Sequence, residues 1–412
     1  MTVTVVVCNA HAGYESLSYE GRLSITHPTN TFVLLLIRKL EKPMQKLTRI
    51  LFVTALTLSI LCFPTKAFAK AKIQMAILLD SSNSMDGLID QTRTQLWQIV
   101  NYLTKVTKDG EVPELEVALY HYGNDNLPSS EGYVRLLTGF TPELDLVSEK
   151  LFSIRTKGGQ EYAGWVIRSA VQELNWSKDK EDFHVIFIAG NEPFDQGPIL
   201  WSESVALAVK GDILVNTIYC GSAESQDRQL WASGANLAQG SHFNINQDQE
   251  IVFIKSPYDE QIATWNAKLN QTYIPYGAEG EVGQQRQAIE DSNSGINLAS
   301  RGNSKASQYY NNASWDLIDA LDKGIVTLEK LSDEALPEAM RGMTLAQKQE
   351  YVAAKKAERE AIQKTIHDLY QKRSEYIEKQ RQVSANSGEN TLDYVIIQSL
   401  GKQLAAKGFK LQ

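Results

Sequence analysis

The sequence predicts an α/β fold, a doubly wound and mostly parallel six-stranded sheet, followed by an α-helical C-terminal extension. Three observations carry this reading. Strand-like and helical periodicities alternate from residue 71 to about 255. The apolar run Ile73–Leu79 stops abruptly at an oxygen-rich turn, Asp80-Ser81-Ser82-Asn83-Ser84. A charged stretch from 344 to 382 then runs without glycine or proline. Alternation with helix-length crossovers is what a parallel sheet covered on both faces requires.

In chain order, residues 44–69 read as a secretory signal. Lys46 and Arg49 give a positive start, Ile50–Phe63 is apolar, and Ala67-Phe68-Ala69 is a small-x-small cleavage pattern. The apolar run falls short of the ~20 residues that a membrane span needs, so a retained anchor is the alternative. Residues 1–43 fit no such plan and are expected to be a gene-model extension or disordered, with translation starting at Met44.

The strand-like runs are Ile73–Leu79, Leu115–Tyr122, Tyr133–Leu137, Phe183–Ala189, Ile213–Cys220 and His242–Ile245. Helical patterns fall between them at about 86–107, 142–152, 161–175, 198–210 and 224–239. No helix separates the second run from the third, which predicts a hairpin and one antiparallel strand at the sheet edge. Residues 256–312 are rich in Asn, Gln, Ser and Gly and read as a polar linker wrapping the domain. The helical extension is expected over 313–412, with Ser314–Leu331 as one helix and Leu392–Phe409 as another. In the long stretch 344–382, Thr344 is the expected cap, and Ile362, Ile366, Leu369 and Tyr376 form a seam at heptad spacing. The seam falls on Arg359 and Lys355 upstream, so packing on the chain's own body is expected over an extended coiled coil.

The turn after the first run suits a small hard cation. Mg²⁺ takes oxygen ligands and keeps several waters, so one carboxylate and a few hydroxyls suffice. Asp80, Ser82 and Ser84 alternate along the turn and can converge on one point; an Asp/Ser cap followed by a turn is the plainer alternative. Here the chain resembles the von Willebrand factor type A family, whose Asp-x-Ser-x-Ser turn opens a metal-ion-dependent adhesion site (MIDAS). The resemblance implies that Ser82 and Ser84 ligate a metal directly and Asp80 through water.

Two further loops would complete such a site, and both depart from the family pattern. In Lys157–Gly164, Gln160 stands where the family commonly has a ligating Thr, with Glu161 as an alternative ligand one residue on. In Phe187–Phe194, Gly190 stands at the family's Asp, and the nearest carboxylate is Glu192. The expected metal ligands are therefore Asp80, Ser82, Ser84, Gln160 and Glu192, holding Mg²⁺ or Mn²⁺ weakly. The whole plan resembles exported bacterial proteins with one type A domain and a helical C-terminal extension.

A net charge of −8 argues against nucleic acid and anionic lipid as partners. Of three cysteines only Cys220 lies beyond the leader, and its place in an apolar run predicts a buried thiol. Nothing supplies a nucleophile with an adjacent base, a zinc-spaced Cys/His cluster or a phosphate-binding glycine loop, so an enzyme is not expected. His121 alone is placed to approach the site. The expectation is a periplasmic or secreted, non-catalytic protein binding a protein partner that offers a carboxylate to the cation. Membrane contact enters only if the signal segment is retained. A scaffold with a decayed metal site is the alternative.

Overall fold

The computed structural model describes residues 3–7, 15–19, 70–245, 253–384 and 392–411. The expected signal segment, 44–69, lies outside the described residues. The chain divides into two units, Met1–Phe68 and Ala69–Gln412. The described part of the first is one antiparallel pair, Val3–Val7 with Glu15–Tyr19.

The second unit is built on a six-stranded sheet. Its strands are β1 (Lys72–Asp80), β2 (Glu114–Tyr122), β3 (Val134–Thr141), β4 (Phe183–Gly190), β5 (Leu214–Tyr219) and β6 (His242–Asn244). They lie in the order β3-β2-β1-β4-β5-β6. All neighbours are parallel except the edge pair β2–β3, which is the expected hairpin. A strand buried on both faces is apolar along most of its length, and β1 is, with Gln74 the polar residue in its interior. Ile73, Met75, Ile77 and Leu79 enter one core layer, and Ala76 and Leu78 the other.

Helices cover both faces. α1 (Asp86–Leu103) and α2 (Leu144–Ser153) pack on the first layer. α3 (Ala163–Glu173), α4 (Trp201–Lys210) and α5 (Asp227–Leu237) pack on the second. The first layer gains its remaining helix from the far end of the chain. There α11 (Leu392–Ala406) buries Ile396, Leu400 and Leu404 in that core. Phe409 follows, edge-on to Phe183, and Lys410–Leu411 pairs antiparallel with Val106–Thr107. The expected extension, 313–412, is therefore extension only in part, because its last segment returns and completes the sheet domain.

Residues 256–312 are not a linker. They carry α6 (Asp259–Asn270), α7 (Gly280–Asn293) and α8 (Leu298–Lys305). Polar composition hid these helices because their buried faces are themselves polar: Asn266, Gln287, Glu290, Arg301 and Lys305 are all buried. The expected helix Ser314–Leu331 shrinks to α9 (Leu317–Asp322), after which Gly324 turns the chain at φ +67°. The long helix α10 (Leu345–Ser384) forms as expected and opens on a reciprocal cap. Thr344 N donates to Gln347 Oε1 at 2.9 Å, and Gln347 N to Thr344 Oγ1 at 3.4 Å. Ile362 and Ile366 bury beside Ile262, Leu269 and Trp315, so the seam packs on its own body. Where the seam turned charged, Arg359 is buried too, bound to Asp316 and Asp319 and stacked 4.0 Å from the Tyr273 ring.

Candidate metal site

Asp80 closes β1, which is paired on both sides, so its carboxylate is fixed at the C-terminal end of the central strand. Beyond it the turn alternates. Ser81 N donates to Tyr122 O at 2.9 Å, and Ser81 Oγ lies 2.9 Å from His121 Nδ1. Asp80 and Ser82 take the other side: Ser82 N donates to Asp80 Oδ1 at 2.8 Å, and Ser82 Oγ lies 3.1 Å from Ser84 Oγ. Ser84 is exposed and accepts from Asn191 Nδ2 at 3.0 Å, which ties the turn to the loop after β4. Asp80 has no exposed surface, and its Oδ2 has no hydrogen-bond partner among the described residues.

The loop of residues 157–161 is laid against this turn by its backbone. Lys157 N donates to Ser81 O at 3.0 Å, and Asp125 N to Gly158 O at 2.7 Å. Gly159 touches the Gly123 carbonyl so closely that a Cβ would stand 2.6 Å from it. Gly123, at φ +73°, lets two carboxylates converge, since a Cβ there would lie 2.8 Å from both Asp80 Oδ1 and Glu161 Cγ.

Of the expected ligands, Asp80, Ser82 and Ser84 come together. Gln160 is exposed, whereas Glu161 is buried and hydrogen-bonded by Ser82. Glu192 is half-buried; its carbonyl accepts from Trp231 Nε1 at 2.8 Å, and its carboxylate acts on the site through its charge. Burial, then the charges of Glu161 and Glu192, lift the Asp80 carboxyl well above its ordinary range. Burial and the Glu192 carboxylate push Glu161 up to about 7. His121 is held neutral, its value pushed down to about 4 by burial and by Arg135, and its ring is engaged with Ser81 rather than turned to the site.

Tyr122, expected near this edge from its place at the end of the second strand-like run, and Trp231, which sequence reasoning missed, shape the remaining corner. A Cβ at Gly190 would stand 2.6 Å from the Tyr122 hydroxyl and 3.0 Å from the Trp231 ring. Gly190 therefore opens no space; the two rings occupy it. The signal lay in register: Tyr122 is the direct partner of Asp80 across β1 and β2.

A small hard cation fits these donors, for a buried carboxylate oxygen lacks a partner beside two hydroxyls and a second carboxylate. Among the described residues no group of three or more His, Cys, Asp or Glu side chains is gathered as a metal site, so hydroxyl oxygens must make up the shell.

A six-stranded sheet with one antiparallel edge pair, and an Asp-Ser-Ser-Asn-Ser turn at the end of its central strand, decide the fold. The domain has the von Willebrand factor type A fold.

No protein-family model and no curated protein matches the sequence. Solved structures similar to part of this chain include three of note. Proximal thread matrix protein 1 from the mussel byssus, with a zinc-occupied MIDAS motif, is 14% identical at TM-score 0.34, over 44% of this chain and 43% of that one. The SpRpn10 VWA domain is 17% identical at TM-score 0.32, over 44% and 91%. An aerotolerance-related membrane protein from Bacteroides fragilis is 15% identical at TM-score 0.28, over 43% and 93%. The chain spans less than half the length of the mussel protein.

Proposed function

We propose that this protein is a non-catalytic, exported binding module whose type A domain engages a protein partner through a divalent cation, Mg²⁺ or Mn²⁺. The cation sits on Asp80, Ser82 and Ser84 at the top of the sheet. One observation carries the reading: a fully buried aspartate with an unpartnered oxygen stands beside two hydroxyls in a pocket of like charge. An ionised carboxylate buried without a partner is costly, and a bound cation removes that cost. The export half of the reading rests on residues 44–69. No helix among the described residues is long and apolar enough to cross a membrane.

Calorimetric titration with Mg²⁺ and Mn²⁺ tests it. The expected dissociation constant is millimolar, about 4 kcal/mol weaker than a micromolar site, and Asp80→Asn is expected to abolish binding. A second reading has its own observation: Tyr122 and Trp231 fill the corner where the family carries another acid. If wild type shows no cation response at about 10 mM, the protein is a scaffold whose contacts lie on its helical part.

A further inference from the structure

We propose that Glu161 is the charged ligand that replaces the family's missing acid, so that the partner completes the cation's shell with a neutral oxygen rather than a carboxylate. The inference rests on the cation-binding reading above and reassigns one of its ligands.

Glu161 and Glu192 both act on the Asp80 carboxyl, and Glu161 is the better placed second anionic ligand, because it is buried whereas Glu192 is only half-buried. The loop after β4 cannot deliver it from position 190, where Tyr122 and Trp231 fill the space. Gln160 is exposed, one residue short of the inward turn. Glu161 is buried, its Cγ is as close to the Gly123 position as Asp80 Oδ1 is, and it shares the Ser82 hydroxyl with Asp80. Its backbone is pinned by Gln196, to whose Oε1 Glu161 N donates at 2.5 Å. That bond and the Gly159–Gly123 contact fix the direction in which the side chain enters.

The partner's chemistry follows from charge. Asp80 and Glu161 together balance a divalent ion, and Glu192 adds a further negative group nearby. A carboxylate arriving from a partner meets an already neutralised ion inside an acidic rim, which repels it. A hydroxyl or carbonyl oxygen takes the open position without that penalty.

Mn²⁺ binding followed by electron paramagnetic resonance tests this, with sodium acetate as the carboxylate probe. Wild type is expected to bind Mn²⁺ and to gain nothing from acetate. Glu161→Ala is expected to weaken Mn²⁺ binding at least ~10-fold, and acetate should restore part of the loss by entering the vacated space. Gln160→Ala should bind like wild type. Melting curves confirm that each variant is folded, and Glu161→Gln, which keeps the side-chain volume, serves if Glu161→Ala is not. The assignment is overturned if folded Glu161 variants bind Mn²⁺ as wild type does, or if acetate tightens wild type as much as Glu161→Ala. Absence of Mn²⁺ binding by wild type overturns the underlying cation reading instead, and the two failures are told apart by that first titration.

Discussion

Two of the places where the described residues bury carboxylates do so in opposite ways. At the end of β1, Asp80, Glu161 and Glu192 are gathered, and the Asp80 and Glu161 values rise with burial and with the charge of neighbouring carboxylates. Between α2 and the helices of 259–305, buried Asp145 and half-buried Asp291 stand against the buried Arg301 and Lys305. Arg301 binds Asp145 and, at 2.7 Å, Asp291, while Lys305 Nζ lies 3.0 Å from Asp291. Trp97 lies under the Arg301 guanidinium at 4.7 Å, and Tyr310 donates to Asp145. Burial alone would raise Asp291, yet Lys305 and Arg301 hold it down at about 2. The contrast teaches how to separate structural from functional charge. A balanced cluster holds two parts of a chain together, and an unbalanced one is a candidate to take up a counter-ion.

The sharpest way to break the comparison is to unbalance the balanced cluster. Arg301→Met keeps the stem of the side chain but takes from buried Asp145 its cation and leaves Asp291 to Lys305 alone. The expected loss is about 3–5 kcal/mol in chemical unfolding, as when one partner of a buried pair is removed. A loss below about 1 kcal/mol would mean that the helices of 259–305 dock without the network. Next comes the closed corner of the other site. Gly190→Asp forces a side chain into the Tyr122 and Trp231 rings and adds an anion, so a loss of about 3 kcal/mol is expected, with no gain in Mn²⁺ affinity. Tighter Mn²⁺ binding by that variant would show that the corner opens.

The unbalanced cluster responds with the opposite sign when its charge is removed. Asp80→Asn keeps an oxygen for the Ser82 N–H and discards the costly charge. In metal-free buffer at pH 7 it is expected to be more stable than wild type, by about 1–2 kcal/mol in thermal or urea unfolding. Equal destabilisation of Asp80→Asn and Arg301→Met would remove the distinction between the two clusters.

The same contrast explains what could be read from the sequence. The sheet was legible because β1, β2 and β4 are mostly apolar and bounded by turns. The strand ends and the Asp80/Ser82/Ser84 turn were legible for the same reason. The helices of 259–305 were not, because a hydrophobic pattern cannot report a face closed by Arg301, Lys305 and Asp291 instead of Leu and Ile. Nor could periodicity show that Leu392–Ala406 belongs to the core begun at Ile73, since a long-range contact leaves no local signal. At the site, the choice between Gln160 and Glu161 turned on which of two adjacent residues faces inward. The backbone bonds of Lys157, Gly158 and Glu161 decide that, and one-residue offsets of this kind are invisible without them.

The smallest expected effect concerns pH, where buried bases and buried acids pull stability in opposite directions. His242 accepts or donates at Nδ1 with Thr217 Oγ1, 2.8 Å away, while its Nε2 is buried without a partner among the described residues. Burial, with Arg228 adding, pushes its value down to about 4, and burial also lowers His184. A histidine with a depressed folded value binds fewer protons folded than unfolded. Its stabilising contribution is complete above the unfolded value of ~6.5 and is lost as pH falls from there toward 4. Asp80 and Glu161 run the other way, since raised carboxyls hold protons longer in the fold and their cost grows as pH climbs toward 7. Wild type alone would sum the two slopes, so the informative quantity is a difference between variants in metal-free buffer. Between pH 7 and pH 6, wild type should lose roughly a few tenths of a kcal/mol relative to His242→Gln. Over the same interval it should gain relative to Glu161→Gln. Two differences of the same sign would mean that the carboxylates at the end of β1 carry no excess charge, and the comparison between the two clusters would fail there.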